Sequence, residues 1–267
     1  MTDTASKKNV KDTGLRGDYA GAAPDYSVHQ HWERYSEAEH DLYRRLYARQ
    51  SRLVREYACP EYLHALHKLD AGGGVPRFDD VSRRLRGTTG WELVPVPGLL
   101  PDHAFFKHLA NRRFPVTVWL RRPDEFDYIV EPDVFHDFFG HVPLLLDRVF
   151  ADYLQAYGEG GLRAETLGAI GYLARLYWFT VEFGLVMTRA GLRVYGAGLL
   201  SSPQELPYSV DDPTPQRLPF DLMRVMRTSY VIDRMQERYF VIDSFAQLFE
   251  ATAADFAPLY AELADAA

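Results

Sequence analysis

Glu131-Pro-Asp-Val-Phe-His136-Asp-Phe-Phe-Gly140-His141-Val-Pro143 is the stretch on which the reading of this chain turns. Pro132 suits the first turn of a helix, and Gly140 with Pro143 suits its end, which predicts His136 mid-helix and His141 near the terminus. On an ideal α-helix five residues turn through about 500°, leaving the two imidazoles about 140° apart. They converge only if the backbone distorts near Gly140, and glycine permits that. The spacing is not the i, i+4 pair of a zincin, and it would aim Asp137 elsewhere.

The same gap recurs at His103 and His108, which serve as an internal control. His103 follows Pro101-Asp102 in a turn-like context, so that pair reads as solvated or capping, and His64 and His67 read as helix-surface or half-buried residues. A third partner for His136 and His141 comes from Leu167 to Met187, an apolar stretch with Arg175 and Glu182 inside it and read as a buried helix. An unpaired carboxylate there costs several kcal/mol, on the order of the penalty for any buried charge, so Glu182 needs a cation. Arg175 lies about 10 Å along the axis, too far to pair easily, so the sequence pattern leaves two equal readings: Glu182 paired with a more distant arginine or neutral in a hydrogen-bond network, or Glu182 as a metal ligand. Two imidazoles and a carboxylate suit non-haem Fe(II), but equally a zinc ion with one open position that activates water for hydrolysis.

Around this centre, Asp41 to Tyr57 has helical apolar spacing, with Arg44, Arg45, Arg49 and Arg52 solvating its outer face, and Phe245 to Leu263 repeats the pattern in a closing helix. Trp91–Val96, Val116–Leu120 and Leu192–Tyr195 read as strands. The fold class is predominantly α (α+β), a single compact helical domain over residues 26–267 with short β ribbons. Residues 1–25, almost without large apolar side chains, read as a disordered leader. The 267 residues include 47% hydrophobic ones, enough for one substantial core. One cysteine, Cys59, excludes an intrachain disulfide or a multi-thiolate metal site. A net charge of −7 argues against nucleic acid or an anionic membrane as partner, and no signal sequence or membrane span is seen, which implies a cytoplasmic protein. Gly72-Gly-Gly74 and Gly196-Ala-Gly198 complete neither a phosphate loop nor a dinucleotide fingerprint.

Three motifs, Pro132 to Leu144, Tyr177-Trp-Phe-Thr-Val-Glu-Phe-Gly-Leu185 and Tyr195-Gly-Ala-Gly-Leu-Leu-Ser-Ser202, resemble the pterin-dependent aromatic amino acid hydroxylases, the family of phenylalanine, tyrosine and tryptophan hydroxylases. Weaker similarity extends over nearly the whole chain after the leader. The resemblance implies the aromatic amino acid hydroxylase fold, with His136, His141 and Glu182 binding Fe(II). It implies Arg121 pairing with the substrate carboxylate, Trp178 walling the substrate pocket, and Ser201 and Ser202 steadying an iron-binding histidine and the bound amino acid. Phe105 matches the ring that stacks on tetrahydrobiopterin or a related tetrahydropterin, with the backbone near Gly98 and Leu100 at its polar edge. The implied reaction converts L-phenylalanine to L-tyrosine with O2. Phenylalanine is favoured because Ile232 falls where tyrosine-hydroxylating members carry an acidic residue, while tryptophan or tyrosine hydroxylation, a zinc hydrolase and a non-enzymatic amino-acid binding module are the alternatives. The chain departs from animal members at Ile129, Val130 and Asp137, where they carry Thr, Pro and Glu, and at Pro203-Gln204, which replaces Phe-Gly. It is most similar to the compact bacterial members, which implies a monomer without a regulatory domain.

Overall fold

A computed structural model describes residues 16–232, 234–252 and 255–265. Its first long helix, α1 (Glu37–Tyr57), begins four residues before the apolar periodicity does, because Ser36 and Glu39 close a reciprocal capping box. That device satisfies two backbone N–H groups which would otherwise lack partners and is worth about 1 kcal/mol. Then follow α2 (Pro60–Leu69), α3 (Phe78–Thr88), β1 (Glu92–Val96), α4 (Asp102–Ala110) and β2 (Arg113–Thr117). The chain continues through a π-helical turn at His136–His141, α5 (Arg148–Thr166), α6 (Ile170–Tyr177), a second π-helical turn at Trp178–Glu182, β3 (Leu185–Thr188), β4 (Gly191–Val194) and α7 (Ala197–Ser201). It ends with α8 (Glu205–Asp211), β5 (Gln216–Pro219), α9 (Leu222–Arg227), β6 (Arg238–Ile242), α10 (Phe245–Thr252) and α11 (Ala257–Asp265).

This is an α+β fold with two small sheets. β1 and β2 pair in parallel, Glu92 opposite Arg113, and the other four strands lie in the order β4-β3-β6-β5, with only β3 and β4 antiparallel. One cluster of buried side chains runs from Leu42 to Leu263 and takes in Phe135 just before the first π turn, Phe138 and Phe139 within it, and Phe179 and Val181 of the second. Among the described residues, no helix is long and apolar enough to cross a membrane.

Several expectations are corrected. Leu167–Met187 is not one buried helix: α6 passes into the π turn and then, beyond Gly184, into β3. A Cβ on Gly184 would lie 2.2 Å from the Tyr195 ring and 2.3 Å from the Thr180 carbonyl oxygen, so only glycine lets the chain turn there. The C-terminal helix is two, α10 and α11. The strand placed at Val116–Leu120 begins earlier, at Arg113, and ends at Thr117, after which the Val118 N–H still bonds across to the Val96 carbonyl. Arg49 is not on a solvated face, since its guanidinium lies 4.2 Å from the Phe126 ring centre and binds Asp127 at 2.6 Å.

The expected disordered leader spans residues 1–25. Residues 1–15 lie outside the described residues, but 16–25 are placed against the loop after β1 and its neighbours. The Tyr19 hydroxyl donates to the Leu99 carbonyl at 3.0 Å, Arg16 pairs with Glu125, and a Cβ on Gly17 would sit 1.9 Å from the Pro97 carbonyl oxygen. Polar and backbone contacts hold this stretch, which is why its poverty in apolar side chains misleads.

Candidate metal centre

Asp133, not Pro132, opens the helical segment that carries the histidines. Its Oδ1 accepts from the His136 backbone N–H at 3.0 Å, while its carboxylate also grips Arg121 through Nε at 2.8 Å, Nη2 at 2.9 Å and the Arg121 backbone N–H at 2.9 Å. Both side chains are buried. Burial works against the Asp133 carboxylate, but the guanidinium and the two backbone donors outweigh it and hold its pKa below the ordinary value. The result is a bidentate pair of the kind that costs about 3–5 kcal/mol to break by removing one partner.

From Asp133 the chain enters the π turn. The i→i+5 bonding of a π-helix widens the turn, so residues five apart return toward one face where an α-helix would splay them. The His136 and His141 rings accordingly lie 5.2 Å apart, edge to face. The second π turn does the same service for Glu182: the Phe183 N–H bonds to the Trp178 carbonyl, five residues back, at 2.9 Å. Glu182 Oε1 lies 3.2 Å from His141 Nε2 and Oε2 lies 3.7 Å from His136 Nε2. One ligand atom from each of the three residues lies within 4.8 Å of the others. Arg175 is excluded as the partner of Glu182, as its guanidinium donates instead to the Met226 carbonyl at 2.9 Å.

The role of Gly140 differs from that expected. A Cβ there would stand 2.8 Å from the Ala197 carbonyl oxygen and 2.9 Å from the Ala197 Cβ, so glycine lets α7 approach the π turn. That approach brings Ser201, on α7, to His136, with Oγ and Nδ1 at 2.8 Å, which leaves Nε2 to face Glu182. Asp137 points away from the trio, as expected, and its Oδ2 accepts from the Thr117 N–H at 2.8 Å, tying the turn to β2.

Desolvation pushes the His136 imidazole below its ordinary pKa, toward the neutral ring that a metal requires. Burial opposes the Glu182 carboxylate, yet its two imidazole neighbours hold its pKa below normal, in the ionised form. Two imidazole nitrogens and one carboxylate oxygen fit a divalent cation of borderline hardness with open coordination positions.

Around the trio, Tyr177 stacks over His141 at 6.3 Å and meets the half-buried Phe105 edge-on at 5.5 Å, so Phe105 stands two rings from the metal donors. Gly98 has a φ of +152°, and an added Cβ would meet the Tyr19 hydroxyl at 2.8 Å and Glu131 Oε1 at 3.0 Å. That Glu131 oxygen is buried and has no partner among the described residues. Leu100 lies in the same loop, half-buried. Trp178 stacks on Tyr230, rings 4.3 Å apart and 15° from parallel. Ser202 does not touch His136; its Oγ accepts from the Glu205 N–H at 3.1 Å. Ile232 is 74% exposed, so the ground for favouring phenylalanine that rested on it finds no support in its position.

Among the control histidines, His103 is exposed and meets Glu165 at 2.5 Å, and His64 and His67 are exposed. His108 departs from expectation: it is buried and lies 2.8 Å from the Asp25 carbonyl. Burial pushes the Cys59 thiol up to about 12, which removes it as a nucleophile. Sequence reasoning missed Asp133, Tyr177, Tyr230 and Gln236. Only Asp133 carried a signal, an Asp three residues before the first histidine, where an N-cap belongs.

The sequence profile described as biopterin-dependent aromatic amino acid hydroxylase matches residues 14–258. The phenylalanine-4-hydroxylase of Chromobacterium violaceum is 56% identical over 267 residues, covering all of this chain and 88% of that one, and its counterpart from Ralstonia nicotianae is 57% identical over 241 residues, covering 90% and 77%. A crystal structure of the Chromobacterium violaceum enzyme with bound oxidised Fe(III) superposes with a TM-score of 0.89 at 57% identity, over 91% of this chain and 89% of that one. With a profile spanning most of its length and relatives this similar, the chain belongs to the family of biopterin-dependent aromatic amino acid hydroxylases.

Proposed function

We propose that this protein is a phenylalanine 4-monooxygenase, using Fe(II), a tetrahydropterin and O2 to convert L-phenylalanine to L-tyrosine. The observation that carries the reading is the convergence of His136, His141 and Glu182 from two π turns, in a chain whose similar relatives bear the name phenylalanine-4-hydroxylase. Residues 26–267 act as one catalytic domain, working as a monomer in the cytoplasm.

Iron held by His136, His141 and Glu182, together with a reduced pterin, supplies the activation of O2 and the oxidant for the ring. The protein's own part is placement and exclusion. Asp133 occupies Nε and Nη2 of Arg121 and leaves the Nη1 edge without a partner among the described residues. That edge receives the substrate carboxylate, and Asp133 fixes the guanidinium in position. The Trp178–Tyr230 stack forms one wall for the aromatic ring. Phe105 offers its face to the pterin, whose polar edge meets the Gly98–Leu100 backbone. Ser201 holds His136 so that Nε2 is the nitrogen presented to the metal. Ser202, through its place beside Ser201, steadies the amino acid. No side chain is required as general base, and an apolar wall accepts a phenyl ring while rejecting isosteres by only about 10²-fold.

The test is incubation with Fe(II), tetrahydrobiopterin, O2 and an equimolar mixture of phenylalanine, tyrosine and tryptophan, followed by product identification. Tyrosine as the main product, restored by Fe(II) but not Zn(II) after metal removal, is the expected result. Activity restored by Zn(II), or hydroxylation of tryptophan in preference, overturns the assignment.

A further inference from the structure

Trp178 is held by more than its stack. Its indole N–H donates to Gln236 Oε1 at 3.0 Å, and Gln236 is only 3% exposed. The other end of the same amide donates to the Val231 carbonyl at 2.8 Å. The Gln236 backbone N–H in turn donates to Glu205 Oε1 at 2.8 Å, an oxygen that also accepts from the Tyr239 hydroxyl at 2.8 Å. Glu205 lies at the start of α8, and its own N–H is bonded to Ser202 Oγ. Ser202 follows Ser201, which holds His136. A chain of directed bonds therefore links an iron-ligand histidine to the indole at the opposite end of the second π turn.

The connecting segment between α9 and β6 has no helix or strand among its described residues, and Ile232 and Met235 on it face solvent. What fixes it over the site is the Tyr230 stack and the Gln236 amide. A half-buried indole N–H gains from an acceptor, and Gln236 supplies one while closing its own loop. Burial disfavours the ionised Glu205 carboxyl, and two donors converge on one of its oxygens, which is the arrangement of an anchor rather than of a solvated charge.

We infer that Glu205 and the buried Gln236 form a brace that orients the Trp178 indole and holds Val231 beside it, making both Glu205 and Gln236 positioning residues for binding of the aromatic amino acid. The inference rests on the reading of Trp178 as a wall of the substrate pocket. It assigns the brace to the amino acid and not to the pterin, since Phe105 and the Gly98 loop belong to other elements.

The experiment compares wild type with Gln236→Leu, Gln236→Asn, Glu205→Leu, Glu205→Gln and Trp178→Ala, each loaded with Fe(II). The measurements are iron content, anaerobic calorimetric Kd for phenylalanine, KM for phenylalanine and for tetrahydrobiopterin, and tyrosine formed per pterin oxidised. Gln236→Leu is expected to weaken phenylalanine binding about 10-fold and lower the coupling ratio, as a displaced positioning group does. Iron content and pterin KM should stay within about twofold. Gln236→Asn, one methylene short, should shift the same quantities in the same direction and serves if the leucine variant does not fold. Glu205→Leu should resemble Gln236→Leu, while Glu205→Gln, which keeps the acceptor oxygen, should restore phenylalanine affinity. Unchanged phenylalanine Kd in the Gln236 variants alongside a weakened Trp178→Ala overturns the brace alone. Unchanged Kd in Trp178→Ala overturns the wall assignment, and the brace with it. Equal losses toward pterin and amino acid also overturn the brace, because they report general destabilisation.

Discussion

His136 and His141 have the same spacing as His103 and His108, yet the two pairs behave oppositely. On α4, an ordinary α-helix, the side chains diverge: His103 faces solvent and Glu165, while His108 is buried against the Asp25 carbonyl. On the π turn the rings come within 5.2 Å and share a carboxylate. Spacing is therefore not the determinant. What differs is one extra residue per hydrogen-bonded turn, held in place by Asp133 at its start and by the approach of α7 at Gly140.

The comparison breaks most easily at the ligands. His136→Ala or His141→Ala should abolish iron retention after gel filtration, whereas His103→Ala should keep the wild-type iron content measured by mass spectrometry. Equal loss from all three would mean that the π turn confers no distinction.

Next in size is Gly140→Ala. The new Cβ meets backbone and Cβ atoms of Ala197 at under 3 Å, none of them the far end of a flexible side chain. Overpacking of this sort costs about 1–3 kcal/mol and should lower the thermal midpoint. Because α7 carries Ser201, iron affinity should fall as well. A midpoint within 1 °C of wild type, a resolution set by the few-degree shift that about 1 kcal/mol produces, would show that α7 is free to move away.

Ser201→Ala tests the same contact with less disturbance. Removing the partner of the non-ligating nitrogen of a metal-bound histidine lowers metal affinity about 10–100-fold. Competition with a chelator should read that loss for Ser201→Ala. Glu165→Ala, which removes the partner of His103, should leave chelator competition unchanged.

These contrasts also explain what was legible beforehand. The trio stood out as a candidate because polar groups in an apolar setting demand a compensating partner, an argument that needs no geometry, and the motif resemblance then favoured the metal over a distant arginine or a neutral carboxyl. Their route to convergence could not be read, because the residues of a π turn look like those of an α-helix. Glu182 shows the cost: a helical reading of Leu167–Met187 places the acid correctly in a buried segment but misses both the π turn and β3. The periodicity of α1 was readable because one face is solvated. β6, Arg238-Tyr-Phe-Val-Ile242, pairs with strands on both sides and has Tyr239, Phe240 and Ile242 buried, so it lacks the alternation that marks a strand. Arg121 carries no local sign of its burial, since its partner Asp133 lies beyond a segment that no pattern spans.

The smallest expected effect belongs to the buried member of the non-ligand pair. Desolvation, reinforced by the nearby Arg113, lowers the His108 pKa in the folded chain, against the bond to the Asp25 carbonyl that favours protonation. An unfolded histidine titrates near about 6.5. Below that pH the unfolded chain binds a proton that folded His108 resists, so stability is full above about 6.5 and declines as pH falls toward the lower folded value. His108→Gln keeps a donor for the Asp25 carbonyl and cannot titrate. Its unfolding free energy between pH 7.5 and 5.5 should therefore fall less than that of wild type. Parallel pH profiles for the two would mean that water reaches His108, and the contrast between the two faces of α4 would narrow accordingly.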